Sequence, residues 1–197
     1  MHRNRITALI VALLAGALLL GDGVAEAGPL DAADEALAKG DFEKAAERFL
    51  KASKKGTAPR EAAIGLATAT FKGKLNDDYL FESEEALGKL LEANEKDFDA
   101  NVLLGEIYLL KASRQREPQL LRGYYEDARM SFSNALAQNG KHEQSAVGIA
   151  KALYFQGDFI GAEDTIDAFL AKKPESAGDA HFWRGEAISI QARDKYN

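Results

Sequence analysis

The sequence of 197 residues contains no cysteine, four prolines, three histidines and one tryptophan. The absence of cysteine excludes a disulfide framework and thiol chemistry, and together with so few histidines it argues against a His-rich metal site. Basic residues are also few, because 25 lysines and arginines against 31 aspartates and glutamates give a formal net charge of −6. Such an acidic surface argues against nucleic acid or anionic lipid as the main partner.

Sequence signatures of catalysis are missing as well. The chain has no G-x-S-x-G motif, no phosphate-binding loop and no dinucleotide fingerprint. The adjacent carboxylates Asp77-Asp78 and Glu84-Glu85 would offer a pair for acid–base chemistry, but we interpret them as solvated charge at a turn and a helix start. We therefore predict that the protein is not an enzyme and uses no cofactor.

One short motif resembles the beginning of a calcium-binding loop. It reads Asp97-x-Asp99-x-Asn101, but Val102 follows where such a loop needs glycine, and no glutamate closes it. We interpret the motif as a turn between two helices, with Asp99 capping the second of them, and we predict no metal site.

A single long apolar run lies near the start of the chain, at residues 6–20. It follows the basic residues Arg3 and Arg5 and precedes the small-residue stretch Ala25-Glu26-Ala27, which together form the pattern of a secretory signal peptide. The run is shorter than the roughly 18 residues that a membrane-spanning helix needs. We predict cleavage near Ala27, leaving residues 28–197 as a periplasmic or secreted protein that does not span a membrane, with a retained anchor as the alternative.

Repetition is the strongest signal in the rest of the chain, whose abundant Ala, Leu, Glu and Lys predict an all-α fold. The turn Gly40-Asp41-Phe42-x-x-Ala45 recurs as Gly157-Asp158-Phe159-x-x-Ala162. A triplet of packing residues at i, i+4 and i+7 occurs four times: Ala45/Phe49/Ala52, Ser83/Leu87/Leu90, Ala128/Phe132/Ala135 and Ala162/Ile166/Phe169. Recurrence at such long intervals indicates a solenoid of helical hairpins.

These residues, with Leu104-Gly105-x-x-Tyr108 and Pro174, resemble the tetratricopeptide repeat family over nearly all of residues 30–192. The resemblance implies a right-handed α-solenoid of about four helical hairpins and a C-terminal capping helix. Helices are expected near 31–39, 42–54, 60–72, 78–93, 99–112, 119–138, 143–156, 159–172 and 177–194. We interpret the last as the first helix of a fifth repeat that caps the stack, the alternative being a truncated repeat. Small residues such as Gly105 and Ala150 should lie where helices touch most closely.

In this family the first helix of each hairpin lines a concave face that binds peptides or helices. Carried over to this chain, that groove would comprise Thr68, Phe71, Lys72, Glu106, Leu109, Leu110, Lys151, Tyr154, Phe155, Phe182 and Glu186. Some of these aromatic side chains would alternatively belong to the core. The resemblance implies a non-catalytic scaffold of the bacterial periplasm or cell envelope that binds a protein partner. The alternative is a binder of small ligands or glycans, or an accessory subunit of an envelope transporter or enzyme.

Repeats two and three carry extra residues, which we assign to enlarged turns inside their hairpins. The second of these insertions is basic, with Lys111, Arg114, Arg116 and Arg122. It would either pair with the acidic residues around Asp77 and Glu84 or dock an acidic partner, with Leu120, Leu121 and Tyr124 packing beneath it.

Overall fold

The computed structural model describes residue 28 and residues 30–195, and in this part of the chain it contains nine helices and no strands. The predicted signal peptide lies outside the described residues. In chain order the helices are α1 (Asp31–Ala38), α2 (Phe42–Lys54), α3 (Pro59–Gly73), α4 (Asp77–Ala93), α5 (Phe98–Arg114), α6 (Pro118–Gln138), α7 (Glu143–Phe155), α8 (Phe159–Leu170) and α9 (Gly178–Asp194). None of them is long and apolar enough to cross a membrane.

The helices form four hairpins, α1–α2, α3–α4, α5–α6 and α7–α8, followed by α9 alone. The first helix of each hairpin contacts the first helix of the next, from α1 through α3, α5 and α7 to α9. Among the described second helices, only α2 and α4 contact each other. The first helices therefore form one continuous side of an all-α solenoid, as predicted.

The recurring Gly-Asp turn ends one helix and starts the next. Gly157 has φ 85° and terminates α7, because glycine enters the left-handed region without steric cost. The side chain of Asp158 then accepts a hydrogen bond from the Gly161 N–H at 2.8 Å and caps α8. Gly40, with φ 77°, makes the corresponding turn between α1 and α2.

Phenylalanine rings packed on glycines hold neighbouring helices together. Phe132 of α6 is fully buried between α5 and α7, where a Cβ atom on Gly105 or Gly148 would come within 2.7 or 2.4 Å of its ring. In the same way, a Cβ atom on Gly65 of α3 would come within 2.4 Å of the Phe49 ring. The prediction of a close helix contact at Gly105 is confirmed, and Ala150 is likewise buried, in the cluster that joins α7 to α8.

Equivalent positions of α5, α7 and α9 share the same burial. The third and tenth residues of these helices are all fully buried: Ala100, Ser145, Ala180, Ile107, Ala152 and Ala187. The eighth residues are Gly105, Ala150 and Gly185. In α9, Trp183 also packs with Ala180 and Ala187 against α7 and α8. This helix therefore occupies the register of a fifth first helix and packs on the hairpin α7–α8. Its role as a cap stays a prediction.

The extra residues of repeats two and three are not in enlarged turns, and that prediction is wrong. The turns inside these hairpins, 74–76 and 115–117, are as short as the turns 39–41 and 156–158 of the other two hairpins. The additional residues lengthen helices instead: α5 has 17 residues against 13 in α7, and α6 has 21 against 12 in α8. The difference is about one helical turn in α5 and about two and a half in α6. Because both helices of this hairpin are longer, α5 and α6 remain paired.

Candidate functional site

An open cleft of about 700 Å³ lies on the side of the solenoid formed by the first helices. Glu106 contributes its α5 wall, Gln144, Val147 and Lys151 its α7 wall, and Asp179 belongs to the start of α9. The loops that precede α7 and α9 close its ends. The lining is therefore mostly polar and carries both signs of charge.

Glu106 is the most buried charged group of this cleft, with only 9% of its surface exposed. Its Oε1 accepts a hydrogen bond of 2.7 Å from the Gln144 side-chain amide. Burial raises the pKa of Glu106, while the Gln144 hydrogen bond and the charge of Lys151 act in the opposite direction. A carboxylate held in this way favours a ligand that brings a cation or a hydrogen-bond donor to it.

Lys151 connects the cleft to a group of aromatic side chains. Its ammonium group lies 5.4 Å from the centroid of the Trp183 ring, within the range of a cation–π contact. Glu106 and Lys151, which occupy the ninth positions of α5 and α7, therefore face one cleft from neighbouring first helices.

The aromatic cluster comprises Tyr125, Tyr154, Phe155, Phe159 and Trp183, and it joins α6, α7, α8 and α9. Tyr154 is at its centre, with edge-on contacts to Phe155, Phe159 and Trp183 at centroid distances of 5.5, 5.2 and 5.5 Å. Phe155 also stacks on Tyr125 at 5.7 Å. Although it has these contacts, Phe155 is 53% exposed. The cluster therefore presents a rigidly supported apolar ring to solvent.

The structure brings together the predicted groove residues of the C-terminal hairpins. Glu106 and Lys151 line the cleft, and Tyr154 and Phe155 belong to the aromatic cluster. Phe182 touches the edge of this cluster through Trp183, at 5.6 Å, but it is 59% exposed on the outer side of α9.

The other predicted groove residues lie outside the cleft and the cluster. Phe71 and Leu110 pack against the apolar core between α3 and α5, and Leu109 packs against the core around Phe132. These three side chains therefore contribute to packing, which for Phe71 was the alternative interpretation. Thr68 and Glu186 are half-buried, and Lys72 is exposed.

Two of the four basic residues pair with the acidic start of α4. Lys111 forms an ion pair with Glu84 and lies 4.7 Å from the centroid of the Tyr124 ring. Arg114 donates hydrogen bonds to the Asp77 carboxylate at 2.9 Å and to the Lys74 carbonyl at 2.7 Å. Lys111 and Arg114 therefore join hairpins two and three, as the structural alternative predicted.

Arg116 and Arg122 are exposed, and neither forms an ion pair within the described residues. Leu120 is 46% exposed, so the prediction that it packs beneath the basic segment is wrong. The segment is helical here, and Leu120 lies in the first turn of α6. Tyr124, by contrast, stacks on Tyr108 at 6.4 Å.

The motif that resembled a calcium loop is a joint between hairpins two and three. Asp97 binds Arg60 through two hydrogen bonds of 2.7 and 3.1 Å and caps α5 by accepting the Ala100 N–H. Arg60 holds the pKa of Asp97 below its usual value. Asp97 rather than the predicted Asp99 is the cap, because Asp97 directly precedes the first helical residue. Asp99 instead accepts a third hydrogen bond from Arg60, at 2.8 Å. No group of acidic or histidine side chains within residues 30–195 is arranged to hold a metal ion.

Sequence reasoning missed Trp183 and Gln144 as parts of this site. Gln144 lies in the first turn of α7, about two to three turns before the predicted groove residues. The chain contains a single tryptophan, and large aromatic residues often anchor binding surfaces. This was the available signal for Trp183.

The hairpins, their shared register and the continuous row of first helices define an α-solenoid. The tetratricopeptide repeat profile matches residues 30–78 and 147–188, that is, hairpin one into the start of α4, and α7 through most of α9. A crystal structure of a thermophilic tetratricopeptide repeat protein from Thermus thermophilus has a similar fold, with a TM-score of 0.64 and 20% identity over 84% of this chain and 82% of that one. No curated protein matches the sequence. The chain therefore carries tetratricopeptide repeats in these two stretches, and its fold is that of a tetratricopeptide repeat protein.

Proposed function

We propose that this protein is a non-catalytic scaffold of the bacterial periplasm or cell envelope. It holds a protein partner on the side formed by α5, α7 and α9. Proteins with tetratricopeptide repeats generally mediate protein–protein interactions. The apolar run at residues 6–20 and its flanking residues support export by a signal peptide.

The observation that carries the proposal is the continuity of the cleft and the aromatic cluster through Lys151. Buried polar groups such as Glu106 orient a ligand, while supported aromatic rings such as Phe155 supply most of the binding free energy. The cleft is mostly polar, the aromatic cluster is apolar, and the two surfaces adjoin each other. They suit an extended peptide segment that places an apolar side chain on Phe155 and a hydrogen-bond donor or cation near Glu106.

Site-specific photo-crosslinking in an envelope extract tests this surface. A photoreactive phenylalanine analogue replaces Phe155 in one variant and Phe81 in the other. The two positions are matched, since Phe81 is also a helical phenylalanine and is 62% exposed, but it lies on α4. We expect a discrete crosslinked partner from position 155 that Lys151→Ala weakens, and none from position 81. Equal crosslinking at both positions, or none at 155, would contradict the proposal.

Export is tested separately by fractionation of bacteria that express the full chain. We expect the protein in the periplasmic fraction, shortened by cleavage near Ala27. A membrane-bound product of full length would instead support a retained anchor.

A small ligand or glycan is the second candidate for the same site. The observation that favours it is the size of the cleft, since about 700 Å³ lies within the roughly 300–1,000 Å³ of small-molecule sites. A thermal-shift screen of metabolites and glycans tests it, because a ligand at 100 times its dissociation constant stabilises by about 2.7 kcal/mol. A shift that Glu106→Gln removes, without any crosslinked protein from position 155, would favour this alternative.

A further inference from the structure

The outer side of α9 differs from the same side of α5 and α7. The fifth residues of α5 and α7, Val102 and Val147, are only 8% and 4% exposed, because each lies in a core cluster with the second helix of its own hairpin and the next first helix. The fifth residue of α9 is Phe182, which is 59% exposed. A helix that ends a solenoid normally carries a polar outer face. Here the outer face retains a large apolar side chain.

The surroundings of Gly185, on the same face of α9, also differ from those of the equivalent glycine in α5. It occupies the eighth position of α9, as Gly105 does in α5, where the Phe132 ring packs against the glycine. A Cβ atom on Gly185 would meet no other atom within 4 Å. Ile188, the eleventh residue and one turn further along, is 36% exposed. The position that receives an aromatic ring inside the solenoid is therefore open on α9.

These features make the outer face of α9 complementary to itself. Phe182 provides a ring and Gly185 provides the flat surface on which this fold seats such rings, as Phe49 on Gly65 and Phe132 on Gly105 show. In an antiparallel pair of α9 helices centred on Gly185, Phe182 of each copy lies opposite Ile188 of the other and beside its Gly185. A twofold interface requires both complementary features on one surface, and α9 has both.

The charges of α9 favour the antiparallel orientation. Asp179 lies in the first turn, whereas the C-terminal end carries Arg193, Asp194 and Lys195, with a net charge of +1. An antiparallel pair brings the acidic end of each helix to the basic end of the other and opposes the helix dipoles. A parallel pair would place like charges together.

We propose that two copies of this chain associate through their α9 helices, packed antiparallel about Gly185. One helix pair buries less than the roughly 1,200 Å² of a standard stable interface. The dimer is therefore weak, and it assembles at high local concentration. This inference concerns the outer face of α9 and does not depend on the partner proposed for the cleft.

A single-cysteine experiment tests the geometry, because the natural chain contains no cysteine. Gly185→Cys places a thiol next to its own twofold-related copy, at a position where a side chain meets no other atom. The control, Phe81→Cys, places a thiol at an equally open site on α4. Under mild oxidation we expect rapid formation of a disulfide-linked dimer from Gly185→Cys only. Equal rates for the two variants would overturn the proposal.

Sedimentation velocity across a concentration series tests the association without a crosslink. We expect the sedimentation coefficient of the unmodified protein to rise with concentration, and the rise to disappear in Phe182→Asp but persist in Phe81→Asp. Both substitutions place a charge at an exposed phenylalanine, so neither should prevent folding. A protein that stays monomeric at every concentration, or an association that Phe182→Asp leaves unchanged, would overturn the proposal.

Discussion

Gly105 and Gly185 occupy the same position of two first helices but have opposite surroundings. The Phe132 ring covers Gly105 inside the solenoid, whereas no other atom approaches the Cβ position of Gly185 in α9. The same comparison holds between Val102, which is buried, and Phe182, which is exposed. In a stack of equivalent hairpins, a residue belongs to the core or to a surface according to which neighbour its helix has. The difference between the interior and the end of the stack therefore locates apolar surface that the sequence pattern alone would assign to the core.

Truncation of phenylalanines should separate the two environments most clearly. Phe132→Ala removes a fully buried ring that packs against two helices, so we expect a loss of about 3–5 kcal/mol in the free energy of unfolding. Phe182→Ala, measured by the same denaturant titration in dilute protein, should change stability much less because the ring is 59% exposed. Similar losses for the two variants would show that α9 is covered in the monomer.

Substitution of a larger residue at the eighth helix position should show the same contrast between the interior and the end of the stack, with a smaller loss of stability. Ala150→Leu adds methylene groups to the packed cluster between α7 and α8, which we expect to cost about 1–3 kcal/mol by overpacking. Gly185→Leu serves as the matched control at the open position of α9. The thermal unfolding midpoint should fall only for Ala150→Leu, and an unchanged midpoint for that variant would mean that the repeat register is misassigned.

Glu106 and Glu186 both occupy the ninth position of a first helix, but Glu106 is buried and Glu186 is half-buried. Because burial raises the pKa of Glu106, the stability that this carboxyl contributes is present below its unfolded pKa and is lost as the pH rises through the folded value. Glu106→Gln keeps an acceptor for the Gln144 amide but removes the charge. We therefore expect the variant to gain stability relative to the natural protein as the pH rises from about 4 to about 7.

Urea titrations at both pH values check this expectation, with Glu186→Gln at the same position of α9 as the control. A gain for Glu106→Gln that is larger at the acidic pH would contradict the assigned direction of the pKa shift. A gain of equal size for Glu186→Gln would show that the effect does not depend on the buried site.

The smallest predicted effect concerns the basic segment. Arg114→Glu breaks the exposed ion pair with Asp77, for which we expect a loss of at most about 1 kcal/mol. Arg116→Glu should change stability less, because Arg116 forms no ion pair within the described residues. If partner capture falls in Arg116→Glu at unchanged stability, the exposed part of this segment docks an acidic partner.

Local signals were enough to predict the helices. The Gly-Asp turns, the apolar triplets and the family resemblance gave all nine helices of the described chain with bounds within two residues of those observed. Such signals act over one or two turns, and neighbouring hairpins reinforce them. The sequence did not reveal that Ser113, Arg114 and Pro118 extend α5 and α6 and leave a turn of only three residues, since charged residues suit both an exposed helix and a loop.

The candidate site could be predicted only in part. Tyr154, Phe155, Lys151 and Glu106 follow from the repeat register. The contacts of Trp183 depend on how α9 packs against α7, and no local sequence pattern specifies that packing. Leu109 and Phe71 were assigned to the same groove, but both side chains pack against buried apolar clusters. Position within a repeat therefore defines a face, while the neighbours decide what remains exposed.

The most direct test of this account is the pair Gly105→Ala and Gly185→Ala, measured by denaturant unfolding in dilute protein. Alanine is favoured over glycine inside a helix by roughly 0.5–1 kcal/mol, so Gly185→Ala should stabilise the protein by about that amount. Gly105→Ala should destabilise it, because the new Cβ would lie 2.7 Å from a Phe132 ring that Gly148 confines on its other side. Opposite signs for the two substitutions are the predicted result. Stabilisation by both, or destabilisation by both, would contradict the claim that one helix position is filled inside the stack and open at its end.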